Sequence, residues 1–459
     1  MPAALDTRTI DIVDPATGEP VGSLPVATEQ EAAEAVRRAV AAFPTWAATP
    51  PAERGLRLRA AAQALAARAD EVAALNTRET GKPAGDAAGG VEAAVNTLLQ
   101  YAELGPLHRG KRLRGAWDAV DVATPQPRGV VLVLTPWNDP VAVAAGLIGA
   151  AIVSGDTVVH KPSERSPHTG ALLDEILAAE LPDGVLVHVT GDGSTGAALS
   201  EQPGLGVLAH VGSTATGRAL ARVGAANDVH VIRENGGNDP LVIDGDVDPV
   251  WAASQAALGA FANAGQICTA VERVYVHRSI AQPFLAALVA EAEAWTAGSS
   301  QPLVDVRMRD AVVAQVEQAV AAGATVLTGG TVPEGPAVRY PATVLTDLPQ
   351  GAQVLTEETF GPVAPVVVVD DFDEGLRLAA ADHYGLAATV LTADMAHAHR
   401  AAAILPVGTV KVNAVFGGAP GGSAQPRGAS GSGFGYGPEL LDEMTTTTVV
   451  HLGLPGGSR

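Results

Sequence analysis

Short apolar runs alternate with alanine-rich stretches of helical character from about residue 128 onward. Each run has the length and composition of a buried strand. The runs are VVLVL (130–134), TVVHK (157–161), VLVHV (185–189), VLAHV (207–211) and PLVI (240–243). Strands that alternate with helices at this spacing build a parallel sheet that helices cover on both faces. The pattern therefore predicts an α/β fold.

A second block of the same kind follows. A helical segment from Val250 to Ala262 and a long helix near residues 280–296 accompany further strand-like runs. These runs are ERVYVH (272–277), ATVLTGG (324–330) and VVVVD (366–370). The N-terminal part is instead alanine-rich, and helices are predicted there from Glu29 to a stop signal at Gly81-Lys82-Pro83. A chain of 459 residues is long enough for about three domains.

The C-terminal part has a different composition. Residues 417–437 are dense in Gly, Pro and Ser, which indicates either an ordered loop around a site or a flexible linker. The closing run MTTTTVVHLGL (444–454) is rich in β-branched residues and is predicted to be a strand. A strand at the end of an α/β chain needs a partner, which we expect to lie in another subunit.

The chain is strongly acidic. With 29 basic and 50 acidic residues, its net charge of -21 repels nucleic-acid phosphates and anionic membrane surfaces. This charge favours a small-molecule enzyme or a soluble binding protein. The longest apolar run, 141–153, is too short to span a bilayer and is predicted to be a buried helix.

The number and placement of cysteine and histidine residues indicate in which compartment the protein is expected and whether a metal site is expected. Cys268 is the only cysteine, which excludes an intramolecular disulfide framework. No signal-peptide pattern is visible at the start of the sequence, so the cytoplasm is the expected compartment. A lone cysteine and scattered histidines offer no zinc ligand cluster, and no metal is expected. His397 and His399 are predicted to be solvated residues of an alanine-rich helix.

Cys268 lies in the stretch FANAGQICTA (261–270), among small and amide residues. A free cysteine is most often a buried small hydrophobic residue. A reactive thiol instead needs nearby cations, dipoles or a base that favour the thiolate. Small polar neighbours would allow the backbone to run close to a ligand, but this segment alone leaves both roles open.

The stretch HVGSTATGRAL (210–220) has the pattern of a phosphate site. A strand ends at Val211, and a helix begins near Thr214 after the turn Gly212-Ser213. Such a connection directs free N–H groups and a helix dipole toward an anion such as a pyrophosphate. A purely structural turn before a helix is the alternative, because the stretch lacks the G-x-G-x-x-G fingerprint.

Two further stretches contain carboxylates beside turns, the first of them after a predicted strand. In KPSE (161–164) a lysine and a glutamate stand where ligands bind in open α/β sheets. A carboxylate there can accept hydrogen bonds from two ribose hydroxyls and would repel a 2′-phosphate. In ENGGNDP (234–240) a glutamate directly precedes an Asn-Gly-Gly turn. Surface turns with ordinary charges are the alternative for each stretch.

Taken together, these stretches resemble the aldehyde dehydrogenase superfamily, and the match covers nearly the whole chain. The matching motifs occur in the family's order and with similar spacing. They are TPWNDP (135–140), HKPSE (160–164), GSTATG (212–217), ENGG (234–237), GQIC (265–268), EETFGPV (357–363) and VN (412–413). One motif is weak support, whereas seven in order make a chance match negligible.

The resemblance implies catalytic roles for three residues. Cys268 matches the nucleophile that attacks the aldehyde carbonyl, and Asn138 with the backbone N–H of Cys268 matches the oxyanion hole. Glu234 matches the general base that activates water to hydrolyse the thioester and can also deprotonate the thiol. By this resemblance the chain oxidises an aldehyde to the carboxylic acid with NAD, and NADP is a possible alternative.

The resemblance also implies a set of cofactor contacts. These residues are Thr135, Pro136, Trp137, Lys161, Ser163, Glu164, Gly193, Gly212, Ser213, Glu358 and Phe360. The expectation of NAD rather than NADP rests on Glu164, because its carboxylate would repel a 2′-phosphate.

The fold that the resemblance implies has three parts. A Rossmann-type NAD-binding domain covers residues 1–108 and 128–236, and an α/β catalytic domain covers residues 237–430. A small β oligomerisation element combines residues 109–127 with residues 443–452 and pairs subunits into homodimers or homotetramers. The expected partners are therefore an aldehyde and other copies of the chain, with no nucleic acid and no membrane.

Several positions depart from the family pattern near the expected substrate tunnel. An aromatic residue usually follows TPWN, but this chain has Asp139. Further along, it has Gly146 and Leu147 where the family usually has a bulky residue and a lysine. We expect these changes to place a carboxylate and extra volume near the tunnel. Other departures are Asn235 and Asn238 in ENGGN, and Tyr436-Gly437 in place of an expected Arg-Glu.

Two charged residues give opposite expectations for the substrate. Asp139 would favour a cationic or hydroxylated aldehyde, whereas Arg427 would favour a semialdehyde that carries a carboxylate. Asp139 can equally be a cap that binds the following helix through its side chain. The sequence therefore leaves the identity of the aldehyde open.

Three other functions agree with parts of this pattern. A relative that passes the thioester to coenzyme A generally lacks the glutamate that matches Glu234. A non-catalytic descendant with the same fold would not need Asn138, Glu234 and Cys268 together. A cysteine hydrolase would need a histidine near Cys268, and none of the motif stretches supplies one.

Overall fold

The computed structural model describes residues 8–298, 301–349, 351–417 and 424–453. Part of the Gly-rich segment, residues 418–423, and the last residue of the closing run, Leu454, lie outside the described residues.

Strands and helices are numbered in chain order. The strands are β1 (Thr9–Val13), β2 (Pro20–Pro25), β3 (Lys111–Leu113), β4 (Val120–Pro127), β5 (Val130–Leu134), β6 (Thr157–Lys161), β7 (Leu186–His188), β8 (Leu205–Val211), β9 (His230–Glu234), β10 (Asp239–Ile243), β11 (Val271–His277), β12 (Thr325–Thr328), β13 (Thr343–Thr346), β14 (Val363–Val369), β15 (Ala387–Leu391), β16 (Thr409–Val412), β17 (Gly431–Ser432) and β18 (Thr445–Leu452). The α-helices are α1 (Glu29–Ala48), α2 (Pro51–Ala67), α3 (Ala69–Thr80), α4 (Ala84–Leu104), α5 (Pro140–Ser154), α6 (Pro167–Ala178), α7 (Gly193–Ser200), α8 (Thr214–Asn227), α9 (Pro249–Phe261), α10 (Ala281–Gly298), α11 (Val306–Ala321), α12 (Gln353–Thr356), α13 (Phe372–Ala380), α14 (Met395–Ile404) and α15 (Leu440–Glu443). Short 3₁₀ turns occupy Gly105–Leu107, Ala262–Gly265, Arg278–Ile280 and Gly428–Ser430.

Two mostly parallel sheets form the body of the molecule. The first has the strand order β17-β9-β8-β5-β6-β7, and the second has the order β12-β13-β14-β11-β10-β15-β16. Neighbouring strands are parallel except β17 with β9 and β12 with β13. The apolar runs predicted β5, β6, β7, β8, β10, β11, β12 and β14. The other five strands of these sheets, β9, β13, β15, β16 and β17, were not predicted; all five are only two to five residues long.

Helices cover both faces of each sheet, because successive strand residues point to opposite sides. In β5, Val131 and Val133 join a core with α2, α4 and α5, whereas Leu132 joins a separate core with α1. In β10, Leu241 packs with α9 and α10, whereas Val242 packs with α13. The prediction of an α/β fold is confirmed.

Helix α5 is buried along nearly its whole length between the first sheet and helices α2 and α4. Its residues are small or aliphatic on every side, which is typical of a fully buried helix. Each large side chain buried here, such as Ile148, stabilises the fold by roughly 1.5–3 kcal/mol relative to an exposed one. The helix ends at Gly155, whose φ of 104° favours glycine. The predicted buried helix at 141–153 is confirmed.

The closing strand β18 pairs inside the chain. It runs antiparallel to β4 from Thr445 opposite Pro127 to Leu452 opposite Val120, and β3 completes a three-stranded sheet. The expectation that its partner strand lies in another subunit is therefore wrong for this edge. The other edge of β18 has no partner strand within the described ranges.

Two further expectations are corrected by the structure. The N-terminal part contains the β1–β2 hairpin in addition to the expected helices, and the hairpin lacks a long apolar run that would reveal it. His397 is not a solvated residue, because its ring stacks on Phe372 with centroids 4.4 Å apart and its Nδ1 contacts Asp244. His399 is exposed, as expected.

The described residues lack two features, a metal-binding cluster and a membrane-spanning helix. No group of three or more His, Cys, Asp or Glu side chains in those ranges could hold a metal ion. No helix among the same residues is long and apolar enough to cross a bilayer.

Candidate active site

The carboxyl ends of parallel strands bring several predicted site residues to one edge of the first sheet. Leu134 at the end of β5 pairs with Lys161 at the end of β6, and Val211 at the end of β8 pairs with Glu234 at the end of β9. The loops that follow these strands therefore start side by side, which is where open α/β sheets bind ligands.

Cys268 lies in the loop between α9 and β11 of the second sheet. Asn263, Ala264 and Gly265 in this loop have left-handed φ values of 51°, 53° and 75°. Residue 265 has no room for a side chain, because a Cβ there would collide with the backbone carbonyl of Gly361. This tight turn leaves the Cys268 side chain half-buried rather than enclosed in a hydrophobic core.

Asn138 contacts the loop that carries the thiol. It follows β5 of the first sheet, and its Nδ2 donates to the carbonyl of Gln266 at 3.1 Å. Asn263 Nδ2 donates to the same carbonyl at 3.0 Å. The side-chain amide predicted for the oxyanion hole thus lies beside the segment Gln266 to Cys268.

Glu234 is held on the first sheet by backbone pairing with Gly431 of β17. Gly435 packs so closely that a side chain there would collide with Glu234 Oε2. Burial raises the pKa of Glu234, because the carboxylate loses hydration. Its carboxyl group can therefore change protonation state closer to neutral pH than an exposed glutamate does.

Desolvation in the site raises the pKa of the Cys268 thiol well above its ordinary value. Nearby negative charges add to the rise, the largest of them that of Glu234. The other contributing carboxylates are Asp239, Glu358 and Asp139. The thiol is therefore protonated in this arrangement, and a nucleophilic role requires a base close by.

Lys161 and Glu164 follow β6. The Lys161 ammonium donates to the carbonyls of Pro162 at 2.8 Å and Gly191 at 3.0 Å, which leaves one of its three donors for a ligand. Burial lowers the pKa of Lys161, whereas the charges of Glu164 and Asp192 raise it. Two carboxylates thus lie near the same ammonium.

Ser163 and Gly193 are engaged with local structure. Ser163 Oγ accepts the backbone N–H of Arg165 at 3.2 Å. Gly193 begins α7, but the Asp192 carboxylate accepts the next two backbone N–H groups of that helix. A phosphate at this helix end would have to compete with Asp192.

Helix α8 provides a second helix N-terminus. Ser213 is its N-cap and accepts a backbone N–H of the first turn, and Gly212 with a φ of 155° links it to β8. Gly217 packs directly on Asn235, so a side chain at residue 217 would collide with the Asn235 amide. This packing fixes the N-terminal turn of α8 beside the turn that begins with Glu234.

Trp137 and Phe360 meet across the two sheets. Their ring centroids are 5.7 Å apart in an edge-to-face arrangement, and the Arg165 guanidinium lies 5.6 Å from the Trp137 ring centre. Phe360 has a φ of 51°, which is rare for a bulky residue. Glu272 holds this conformation by accepting the backbone N–H groups of Phe360 at 2.8 Å and Thr359 at 2.6 Å. The sequence analysis missed Glu272, because it lies in an ordinary strand.

Glu358 reaches from the second sheet onto the ENGG turn. Its Oε1 accepts the backbone N–H of Gly237 at 3.1 Å, and a side chain at Gly236 would collide with the carboxylate. Burial raises the pKa of Glu358 to about 7. Its charge therefore varies near neutral pH.

Thr135 belongs to a buried polar network. Its Oγ1 lies 2.9 Å from His160 Nε2, and His160 Nδ1 contacts the Asp174 carboxylate at 2.8 Å. His188 Nδ1 contacts the same carboxylate at 2.6 Å. Desolvation favours a higher pKa for Asp174, but the two histidines together hold it below its ordinary value. The network fixes Thr135, whereas the next residue, Pro136, is half-buried.

Asp139 is not a side-chain cap of α5. It occupies the N-cap position, but its side chain makes no capping hydrogen bond within the described structure. Its Oδ1 instead accepts from Lys82 Nζ at 3.0 Å, and the same ammonium donates to the carbonyl of Asn138 at 3.2 Å. The expectation of a cap is therefore wrong, and Lys82 is a site neighbour that the sequence analysis missed.

The extra volume expected beside Gly146 is filled by Tyr436. A Cβ at residue 146 would lie only 2.9 Å from Tyr436 Cε2. The Tyr436 hydroxyl also hydrogen-bonds with Thr97. Leu147 is buried in the core rather than placed beside the thiol. The expectation of extra volume is therefore wrong, since Gly146 and Tyr436 complement each other.

Arg427 has an exposed side chain. Its backbone N–H donates to the carbonyl of Gly385 at 2.9 Å. Across the described ranges, no contact connects this side chain with Cys268 or Asp139.

Comparison with known families decides the classification. A family model described as the aldehyde dehydrogenase family matches residues 3–450. The chain belongs to the aldehyde dehydrogenase family. The resemblance inferred from the motifs is confirmed, and this aldehyde dehydrogenase is an enzyme that oxidises aldehydes.

Relatives of this aldehyde dehydrogenase act on different aldehydes. The alpha-ketoglutarate semialdehyde dehydrogenase of Haloferax volcanii is 36% identical over 88% of this chain and 87% of its own length. The betaine aldehyde dehydrogenase of Rhizobium leguminosarum bv. trifolii is 34% identical over 98% of this chain and 95% of its own length.

Solved structures confirm the fold class. The betaine aldehyde dehydrogenase of Staphylococcus aureus in complex with NAD+ has a TM-score of 0.93 at 28% identity, covering 97% of this chain and 92% of that one. An NADP dependent enzyme of E. coli has a TM-score of 0.93 at 30% identity, covering 97% of this chain and 95% of that one.

Proposed function

We propose that this enzyme oxidises its aldehyde to the carboxylic acid with NAD, through a covalent intermediate on Cys268. The observation that supports this proposal most directly is that residues of both sheets lie close to the Cys268 thiol. The amide of Asn138 contacts the thiol-bearing loop through Gln266, and the charge of Glu234 raises the thiol pKa. A desolvated thiol between an amide donor and a base suits nucleophilic catalysis.

The first step is addition of the Cys268 sulfur to the aldehyde carbonyl. The thiol proton passes to Glu234 or to water while the carbon–sulfur bond forms and the carbonyl π electrons move to oxygen. The Asn138 amide and the backbone N–H of Cys268 donate to that oxygen. We expect the substrate oxygen to replace the Gln266 carbonyl as the acceptor for Asn138 Nδ2, which now lies 3.1 Å from it.

The second half of the reaction releases the acid. Bound NAD supplies an acceptor for the hydride of the tetrahedral carbon, which leaves a thioester on Cys268. Any thiol proton held by Glu234 is first released to solvent. Glu234 then removes a proton from water, the water oxygen attacks the thioester carbonyl, and this second proton passes from Glu234 to the sulfur when the thiolate leaves. The carbon–sulfur bond thus breaks, and the carboxylic acid departs. The raised pKa of Glu234 suits this shuttling of protons near neutral pH.

The donor and acceptor set of the site agrees with a dinucleotide. Lys161 retains a donor and Glu164 offers a carboxylate for the hydroxyls of one ribose, whereas Ser213 and the N-terminus of α8 suit the pyrophosphate. Glu358 suits the second ribose, and Trp137 borders the nicotinamide half. The remaining predicted contacts are Thr135, Pro136, Ser163, Gly193, Gly212 and Phe360. Related structures named for NAD+ and for NADP support a nicotinamide cofactor.

The choice of NAD over NADP is attributed to Glu164. Replacing Glu164 by glutamine removes a negative charge near the expected 2′-phosphate position, so we expect the NADP-to-NAD ratio of kcat/KM to rise about tenfold. The affinity for adenosine 2′,5′-bisphosphate relative to 5′-AMP, measured by calorimetry, should rise with it. Glu201→Gln, an exposed carboxylate at the far end of α7, is the matched control. Unchanged ratios in both measurements would sink the assignment.

We further propose the cell context and the assembly of the enzyme. Its negative charge disfavours nucleic acid and anionic membranes as partners, and a single free thiol suits the cytoplasm. The unpaired edge and exposed apolar residues of β18, such as Val449 and Leu452, support a homodimer or homotetramer. Residues 109–127 and 443–452 would then form the oligomerisation element, beside an NAD-binding domain (1–108 and 128–236) and a catalytic domain (237–430).

The direct test follows the absorbance of reduced cofactor with purified enzyme, NAD or NADP, and a panel of aldehydes. Aldehyde-dependent reduction of NAD with release of the free acid is the expected result. Reduction that needs free coenzyme A would instead identify the acyl-transfer reaction. No reduction with any aldehyde, while NAD still binds, would identify a non-catalytic relative.

A further inference from the structure

Lys82 and Asp139 form an ion pair beside Asn138, and this pair is partly open to solvent. Lys82 Nζ lies 3.0 Å from Asp139 Oδ1, and the side chains are 11% and 40% exposed respectively. Asp139 directly follows Asn138, and its charge is felt at the Cys268 thiol. The pair therefore lies near the thiol, directly beside the residue predicted for the oxyanion hole.

Lys82 neutralises the charge that Asp139 would otherwise present. Coulomb attraction of an unpaired carboxylate would favour a cationic aldehyde, and an unpaired ammonium would favour an anionic one. With both charges about 3 Å apart, a substrate group near the pair meets a dipole rather than a full negative charge, although Asp139 still contributes to the raised pKa of the thiol.

Groups that can form hydrogen bonds with a substrate lie at or near this ion pair. Asp139 Oδ1 is engaged by Lys82, whereas Oδ2 is bonded to no other residue in the described part of the chain. The Tyr436 hydroxyl, paired with Thr97, lies within electrostatic reach of Asp139 and Glu234. A substrate hydroxyl can donate to Oδ2, and an apolar chain cannot.

From this geometry we propose that the Lys82–Asp139 pair sets the substrate class of the enzyme as an uncharged, hydroxylated aldehyde. The inference rests on the proposed function and deepens it by naming the substrate class. It also bears on the opposite expectations from Asp139 and Arg427, since Lys82 pairs with the first, and the exposed side chain of the second has no contact with Cys268 in the described residues.

The test compares kcat/KM for four short aldehydes: glyceraldehyde, propanal, 3-aminopropanal and succinic semialdehyde. The wild-type enzyme should use glyceraldehyde at least about tenfold better than either charged aldehyde. Lys82→Met should raise the ratio of cationic to anionic aldehyde by about tenfold, and Asp139→Asn should lower it by a similar factor. The double variant carries no charge at the pair, so its ratio should return to within about threefold of wild type.

Each variant is judged by the ratio of its kcat/KM values for two aldehydes. Movement of Asn138 would lower kcat/KM for all four aldehydes alike, so it would leave these ratios unchanged. Lys82→Arg keeps the charge and should keep the wild-type ratio. Asp139→Asn preserves shape at a partly exposed position, so it tests the pair even if Lys82→Met fails to fold. The inference would be overturned if the single variants oxidise propanal but keep the wild-type ratio of kcat/KM for the cationic and the anionic aldehyde. A wild-type enzyme that prefers a charged aldehyde would also overturn it. Absence of reduced cofactor with every aldehyde would instead contradict the proposed function.

Discussion

Replacing Cys268 by alanine is expected to lower aldehyde oxidation by at least about 10⁴-fold, because no other residue can form the covalent intermediate. The chain contains no second cysteine that could substitute. Affinity for NAD should change by less than about twofold, since the predicted cofactor contacts lie mainly on the first sheet. Reduced-cofactor absorbance and calorimetric titration with NAD measure the two effects separately.

A covalent product provides a readout independent of turnover. Wild-type enzyme mixed with aldehyde and NAD, then quenched in acid, should carry an acyl group on the peptide that contains Cys268. Thr269→Ala is the matched control, because it alters the adjacent residue without removing the thiol. Substantial dehydrogenase activity in Cys268→Ala, or an acyl group on another peptide, would disprove the assigned nucleophile.

The sequence was sufficient to predict the fold class and the residues at the ends of strands. Parallel strands carry their ligand residues at one edge, so Lys161 and Glu164 could be assigned to the ligand-binding edge of the sheet from the strand TVVHK that precedes them. The small residues around Cys268 left its role open, and only the series of family motifs assigned roles to Cys268 and Glu234. These are local patterns, and each is readable from a few neighbouring positions.

Contacts between distant segments could not be predicted in the same way. The Lys82–Asp139 pair joins residues 57 positions apart, and nothing near Lys82 distinguishes it from a helix stop signal. Gly146 suggested empty volume, but Tyr436 from the C-terminal segment fills it. Such compensation depends on how helices and loops pack in three dimensions. A substitution at one position therefore says little about a site until its packing partner is known.

The strand β18 illustrates the same limit. Its β-branched residues indicate a strand, but the sequence does not specify which edge finds a partner. The structure pairs one edge with β4 of the same chain, in register from Thr445 to Leu452. The opposite edge of β18, which has no partner strand in the described residues, is the one that we propose for association between subunits.

Replacing Glu234 by glutamine should separate the two halves of the reaction. The amide keeps the shape of the carboxylate but cannot remove a proton from water, so steady-state turnover should fall by about 10²–10⁴-fold. If attack by the thiol survives, one equivalent of reduced cofactor should appear in a rapid burst, and the acyl group should accumulate on Cys268. Stopped-flow absorbance and mass spectrometry measure these two quantities.

The pH dependence provides a second signature. Burial raises the pKa of Glu234, and the base is active only when deprotonated. Wild-type kcat should therefore decline as the pH falls through this raised pKa, and that acid limb should be absent from the residual rate of Glu234→Gln. Glu103→Gln, which alters an exposed carboxylate, should leave the profile unchanged.

Chemical rescue then distinguishes a hydrolytic defect from a general loss of structure. Hydroxylamine attacks thioesters without a protein base, so it should release the acyl group from Glu234→Gln and restore repeated turnover. The same reagent should not rescue Cys268→Ala, which forms no thioester. A variant that shows neither a burst nor rescue, while still binding NAD, would mean that Glu234 is needed to deprotonate the thiol as well. A variant with unchanged steady-state turnover would remove Glu234 from the mechanism altogether.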